Sequence, residues 1–344
     1  MLSSQVYLIA DIGANHDGSL DRAKMLILLA ARAGANAVKF QHFKAESIVS
    51  ELGFRELKTA HQQRWPKSVY ETYVDYSIPD HWTPMLYQVA KAAGIDFMST
   101  PYNFEAVSLL RPYIKAFKIG SGDITWLPFL QHVASQGKPV ILSTGASRMD
   151  EVITAVETIL AINKDLIIMQ CNTNYSGRPN DLKYINLRVL ETYTKAWPLR
   201  LGLSDHTRTH STVLGAVALG ATVIEKHLTD DRRRQGPDHP FSILPAEWKE
   251  MTARVRELEE ALGSSYKQVE DNEREPQIVQ RRCLRLTKDL PQHSPVNVED
   301  LEMLRPAPLR AYIEPSLVIG KHLTRSLPKG SELYPYDLVE VGYD

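Results

Sequence analysis

Arg200-Leu-Gly-Leu-Ser204-Asp-His206-Thr207 and, about twenty residues on, Thr222-Val-Ile-Glu225-Lys-His227-Leu-Thr229 decide the fold. Each is a short apolar run that ends on a histidine. Between them, Ser211–Gly220 is a small-residue stretch with helical spacing. The unit reads as strand, helix, strand, with His206 and His227 at the carboxyl ends of neighbouring strands. Side chains alternate along a strand, so Ser204 shares a face with His206, and Glu225 with His227. Four polar groups aimed at one region of apolar strands are costly unless they serve a metal or a substrate. The structural alternative is a pair of core histidines bonded to backbone carbonyls.

Working outward, the same alternation recurs. Strands are predicted near residues 6, 37, 96, 116, 139, 166, 200 and 222, and each is followed by a helix. The helices are read over Ser19–Ala33 (Ser19 as N-cap), Pro84–Ala93, Glu105–Leu110, 125–135, Glu151–Ile162, Leu182–Ala196, Ser211–Gly220 and Glu247–Leu262. Eight such repeats over about 260 residues specify an α/β fold, a (β/α)8 TIM barrel. A doubly wound open sheet is disfavoured, because no Gly-rich dinucleotide turn follows the first strand. Catalytic residues of such barrels lie at the carboxyl ends of strands. That rule brings Asp11, Lys39, Gln41, Thr100, Lys118, Ser121, Asp123, Ser143, Tyr175, Ser204, His206, Glu225 and His227 to one mouth. A polar insertion over 44–79 is too long for a plain connection and is expected to cover that mouth.

The 344 residues suit one large and one small domain. The barrel is assigned to 1–263, a polar linker without periodicity to 264–280, and a small β-rich domain to 281–344. Within the last, Leu286-Thr-Lys-Asp-Leu-Pro291 is echoed by Leu323-Thr-Arg-Ser-Leu-Pro328, and Asp300-Leu301 by Asp337-Leu338. That repeat predicts pseudo-twofold symmetry. A net charge of −1 gives no electrostatic case for nucleic acid or an anionic membrane. The N-terminus has no signal-like or membrane-spanning run, and Cys171 and Cys283 follow no metal spacing. The expectation is a cytoplasmic protein.

Lys39 and Lys118, set among Thr100, Ser121, Ser143 and Ser204, make an anion site suited to phosphate plus carboxylate. A histidine pair leaves an octahedral ion open positions for water and substrate, which suits Mn²⁺ or Mg²⁺, with Co²⁺ also compatible, better than structural zinc. Such an ion polarises a carbonyl. Asp11 and Asp123 are candidates for orienting water or contacting substrate hydroxyls. Together these groups point to joining an anionic carbon nucleophile to an aldehyde.

The ordered motifs Ala10-Asp-Ile-Gly-Ala-Asn-His-Asp-Gly-Ser19, Val38-Lys-Phe-Gln41, Ser99-Thr-Pro101, Phe117-Lys-Ile-Gly-Ser-Gly-Asp123, Leu142-Ser-Thr-Gly145, Gly202-Leu-Ser-Asp-His-Thr207, Ile224-Glu-Lys-His227 and Gly236-Pro-Asp-His239 resemble the sialic acid synthase family. The tail resembles that family's antifreeze-like (SAF) domain, with Arg305-Pro306 and Gly320-Lys321 in matching places. The resemblance implies condensation of phosphoenolpyruvate with an N-acylmannosamine-type aldose, and loss of phosphate by C–O cleavage. It implies His206 and His227 as metal ligands. It implies Lys39, Thr100, Lys118, Ser121, Ser143 and Ser204 as phosphoenolpyruvate contacts, and Asp11, Gln41, Tyr175 and Asp238 as sugar contacts. Arg305 is implied to reach the partner's barrel in a domain-swapped homodimer. Asp11 and Asp123 stand where the family has Glu, the second being associated with the water that attacks C2. Arg64, in Gln62-Gln-Arg-Trp65, and Arg232-Arg-Arg234 would favour a phosphorylated or carboxylated acceptor only if they face the sugar. Two other readings stay open: a Schiff-base aldolase with Lys118 as nucleophile, and a catalytically silent carbohydrate-binding homologue.

Overall fold

The computed structural model describes residues 5–57, 65–175 and 177–340. They form two compact units, divided after Gly263.

The first unit holds eight parallel strands: β1 Tyr7–Asp11, β2 Ala37–His42, β3 Asp96–Pro101, β4 Phe117–Ile119, β5 Val140–Ser143, β6 Leu166–Cys171, β7 Arg200–Asp205 and β8 Ala221–His227. They are ordered β3-β2-β1-β8-β7-β6-β5-β4, and β3 packs against β4 to bring the ends of the sheet together. This is the expected (β/α)8 barrel. Helices follow the strands, beginning with Leu20–Arg32, where the Ser19 side chain accepts from the Arg22 N–H at 3.3 Å. Among the described residues, the insertion forms three short helices: Ala45–Ile48, Glu51–Glu56 and Val69–Tyr76. One helix is shorter than its pattern predicts. Asn186 adopts φ 50°, so Leu182–Ala196 divides into a 3-10 segment, Pro179–Tyr184, and an α-helix, Val189–Ala196.

Alternation sorts each strand into two faces. Outward residues such as Leu8, Phe40, Phe117 and Leu203 pack beneath the helices in one large core. Inward residues near the strand starts, including Tyr7, Ile9, Met98, Ile141, Ile167 and Val223, fill the barrel floor in a second core. The next inward residues up are Asp11, Lys39, Thr100, Lys118, Ser143, Ser204, Glu225 and His227, all buried. Each apolar side chain below contributes about 1.5–3 kcal/mol on burial, which offsets the desolvation of the charged layer.

In the second unit, β9 Cys283–Leu286 pairs antiparallel with β10 Leu301–Leu304, and β11 His322–Leu323 with β12 Leu338–Val339. The halves meet where Leu290 and Leu327 exchange backbone hydrogen bonds, 2.9 Å each. The repeat is also visible in the contacts. Thr287 N–H donates to Asp300 O and Thr324 N–H to Asp337 O, both at 2.9 Å. Lys288 pairs with Asp300 and Arg325 with Asp337. Within the stretch read as a linker, Arg274–Gln280 is helical, and Ala307 N–H donates to Ile278 O.

Candidate active site

Strand register assembles the charged layer. Asp11 is the register partner of Lys39 on β2 and of His227 on β8. Its Oδ2 lies 2.7 Å from Lys39 Nζ and 3.2 Å from His227 Nε2, while Oδ1 accepts from the Gly13 N–H at 2.9 Å. Burial alone would raise the Asp11 pKa, but the Lys39 ammonium and His227 outweigh it and hold the carboxyl below its usual range. Ser204 and Glu225 are register partners too, and Ser204 Oγ donates to Glu225 Oε1 at 3.1 Å. Glu225 lies between the lysines, its Oε1 3.3 Å from Lys118 Nζ and its Oε2 4.0 Å from Lys39 Nζ. Lys118 Nζ also donates to Ser143 Oγ at 2.7 Å, and Lys39 Nζ to Thr100 Oγ1 at 3.4 Å. Ser121 stands on the turn after β4, where its Oγ accepts from the Gly145 N–H at 2.9 Å. The six predicted anion-site residues thus all lie at strand ends, with both ammoniums inside one buried network.

The two histidine rings lie 5.4 Å apart, centroid to centroid, and Phe241 packs edge-on against both, at 5.7 and 4.8 Å. His206 Nδ1 is 2.9 Å from the Asn172 carbonyl, so that nitrogen carries the proton and Nε2 keeps a lone pair. Burial, reinforced by His227, lowers the His206 pKa to about 4, so it is neutral at pH 7. His227 directs Nε2 at Asp11, and its buried Nδ1 has no hydrogen-bond partner. Each imidazole therefore offers one free lone pair, which fits a divalent ion. Among the described residues no group of three His, Cys, Asp or Glu is arranged to hold one. An ion here must complete its shell with water or substrate.

Above the histidines opens a cavity of about 190 Å³, whose lining includes Gln41, Tyr73, Tyr102, Tyr175, His227 and Asp238. Trp65, Ile48, Thr72 and Tyr76 also line it, so the insertion does wall the mouth as expected. Asp238 Oδ2 accepts from the Ala14 N–H at 2.8 Å and lies 3.7 Å from His227 Nδ1. Gly13, at φ 49°, admits this approach: a Cβ there would sit 2.3 Å from Asp238 Oδ2 and 2.9 Å from His227 Cε1. Tyr175 stands edge-on to His206 at 4.4 Å and is 39 % exposed. Asp123, on the same turn as Ser121, is half-buried with an unpartnered Oδ2, and burial pushes its pKa up to about 6.

Asp11, expected against the sugar, is committed to Lys39 and His227 and does not line the cavity. Arg232, Arg233 and Arg234 pair with Glu247, Asp231 and Asp17, so this run is spoken for by carboxylates. Gln62, Gln63 and Arg64 fall outside the described residues. Arg305 is exposed on the second unit. Alternation brings Glu225 to the mouth without naming its partners, and nothing in the sequence points to Phe241 or to the Tyr73–Tyr102 wall. Only Glu225 carried a signal, as the residue one alternation before His227.

A barrel with a buried lysine pair, a histidine pair and a cavity above them is the architecture of a nonulosonic acid synthase. The chain belongs to the NeuB family, whose model matches residues 26–267. It is 35 % identical over 339 residues to the N,N'-diacetyllegionaminic acid synthase of Legionella pneumophila, covering 96 % of this chain and 94 % of that one. It is 33 % identical to the human N-acetylneuraminate-9-phosphate synthase, over 76 % of this chain and 73 % of the other. Among solved structures, the N-acetylneuraminic acid synthetase of Leptospira borgpetersenii, in complex with citrate, superposes with a TM-score of 0.70 at 30 % identity. That match covers 79 % of this chain and 90 % of that one.

Proposed function

We propose that Lys39, Lys118, Thr100, Ser121, Ser143 and Ser204 hold the phosphate and carboxylate of phosphoenolpyruvate. On this reading Gln41, Tyr175 and Asp238 hold an open-chain N-acylmannosamine-type or related aldose above it. The observation that carries this is the contact between the two parts of the site: Asp11 links Lys39 of the anion layer to His227 under the cavity. C3 of phosphoenolpyruvate forms a bond to C1 of the aldose, whose oxygen becomes a hydroxyl. Water then adds at C2, the C2–O bond to phosphate breaks, and a 2-keto acid remains. A divalent cation held by His206 and His227, Mn²⁺ foremost, supplies Lewis-acid polarisation of the aldehyde. Asp123 takes the proton from the attacking water. The second unit serves as the antifreeze-like (SAF) module of a domain-swapped homodimer that delivers Arg305 to the partner's sugar site. Among the described residues no helix is long and apolar enough to cross a membrane. Phosphoenolpyruvate is a metabolite of the cytoplasm, which supports action there.

The test is phosphate release from phosphoenolpyruvate with Mn²⁺ and a panel of aldoses: N-acetylmannosamine, its 6-phosphate, mannose and 2,4-diacetamido-2,4,6-trideoxyhexoses. A product three carbons longer than one sugar, lost on EDTA treatment, is the expected result. Binding of phosphoenolpyruvate without release for any sugar would favour the silent homologue, and borohydride trapping on Lys118 the Schiff-base aldolase.

The raised Asp123 pKa sets a pH dependence. As a base it must be ionised, so turnover is expected to fall below about pH 6, where an ordinary aspartate would hold to pH 4. Asp123→Asn should lose that acid limb along with most of the rate. Because the folded pKa lies above the unfolded one, the folded state binds the extra proton between about pH 4 and 6. The associated stability is present below that window and lost as pH rises through it. Asp123→Asn should therefore melt no lower than the wild type at pH 7, a gain that disappears near pH 4. A pH–rate profile and thermal melts at both pH values check this.

A further inference from the structure

We propose that Glu225 is an internal competitor for the anion site: it occupies the lysines when no substrate is bound and must yield them when phosphoenolpyruvate enters. The inference rests on the anion-site reading above.

Two lysines and two carboxylates share the buried layer. Lys39 and Lys118 face Asp11 and Glu225, so the formal charges cancel. An anionic substrate entering that layer meets no net positive charge from these four groups. It gains from the ammoniums only as far as a carboxylate gives them up. Asp11 is fixed: it touches Lys39 at 2.7 Å, takes the Gly13 N–H and braces His227. Glu225 is held more loosely. Its contacts to the lysines are 3.3 and 4.0 Å, its hydrogen-bond partner is the rotatable hydroxyl of Ser204, and its buried Oε2 has no hydrogen-bond partner. Glu225 is only 4 % exposed, so bulk solvent does not reach that oxygen to replace a partner. An incoming phosphate or carboxylate would supply acceptors for the same Lys118, Lys39 and Ser204 donors. Glu225 thus lowers the cost of burying two ammoniums in the empty protein, while weakening ground-state capture of the anion. Its position between the lysines sets their spacing before the anion arrives.

Calorimetric titration with inorganic phosphate and with phosphoenolpyruvate, without metal and at constant pH, tests this on the wild type, Glu225→Gln and Glu225→Asp. Glu225→Gln keeps the shape and the Ser204 contact but removes the charge. It is expected to bind both anions about tenfold more tightly or better, with a lower kcat and a lower KM for phosphoenolpyruvate. Glu225→Asp keeps the charge and should bind as the wild type does. Thermal melts in the presence of saturating phosphate read the same order in a variant of reduced stability. Weaker or unchanged binding by Glu225→Gln, with the wild type still binding, overturns the competitor role and leaves the anion site standing. No binding by any of the three proteins overturns both.

Discussion

Lys39→Met should be the most damaging single change in the barrel. The Lys39 ammonium is 2.7 Å from Asp11 and within 4.0 Å of Glu225, all three side chains being almost wholly buried. Methionine fills the space of the aliphatic stem but leaves two carboxylates short of their cation. Breaking a buried pair by removing one partner costs about 3–5 kcal/mol. The contrast is Arg148, whose pairs with Asp150 and Glu151 lie on the surface; its replacement should leave the urea midpoint close to that of the wild type. Urea denaturation of the two variants separates the effects. If Lys39→Met unfolds at the wild-type midpoint, the layer is better hydrated than its burial indicates. The same change removes a substrate contact. Truncating one partner of a buried charge pair costs about 2–5 kcal/mol in binding, so kcat/KM for phosphoenolpyruvate should fall by roughly 30- to 5,000-fold.

His206→Ala should abolish phosphate release while leaving the fold in place. The ring sits at the end of β7 against Tyr175 and Phe241, above the apolar floor, so its loss opens space beside the cavity rather than a void in the core. Lewis-acid stabilisation of developing charge is worth several kcal/mol, which corresponds to about 10³-fold or more in kcat. Unchanged binding of phosphoenolpyruvate in the same variant would place the loss on the chemistry rather than on the anion site. Turnover close to the wild type would remove His206 from the mechanism. The variant also probes the assembly. Co-refolded with Arg305→Ala chains, it should regain part of the activity if the proposed swapped dimer forms, since a mixed dimer would then contain one barrel with its own His206 and the partner's arginine. Independent monomers would regain none.

The barrel was legible because its pattern is local and repeated. β-branched runs, helical spacing and strand-end polar residues recur often enough that topology follows, and register then carried Asp11, Lys39 and His227 to one level. The division of Leu182–Ala196 was not legible, since Asn186 in the left-handed region overrides a continuous helical pattern. The histidine pair and the six anion-site residues could be placed on faces from alternation alone. What each face would meet could not. Glu225 was visible one alternation before His227, but its position between Lys39 and Lys118 depends on three strands at once. Asp205 and Lys226 sit within the most telling motifs, yet alternation turns them outward. They form a buried ion pair with Thr207 and Thr212 under the helices. Phe241 and the tyrosine wall come from loops whose paths no periodicity encodes.

The apolar floor also governs traffic. With Tyr7, Ile9, Ile141, Ile167 and Val223 packed across the barrel, the charged layer can be reached from the mouth and not from the strand starts. On the proposed placement the sugar stands over that layer as a stopper. Phosphoenolpyruvate must arrive before the sugar, and phosphate must wait for the finished acid to depart. On that placement the site would work as a blind alley: the sugar enters last, and the acid that contains it leaves before the phosphate.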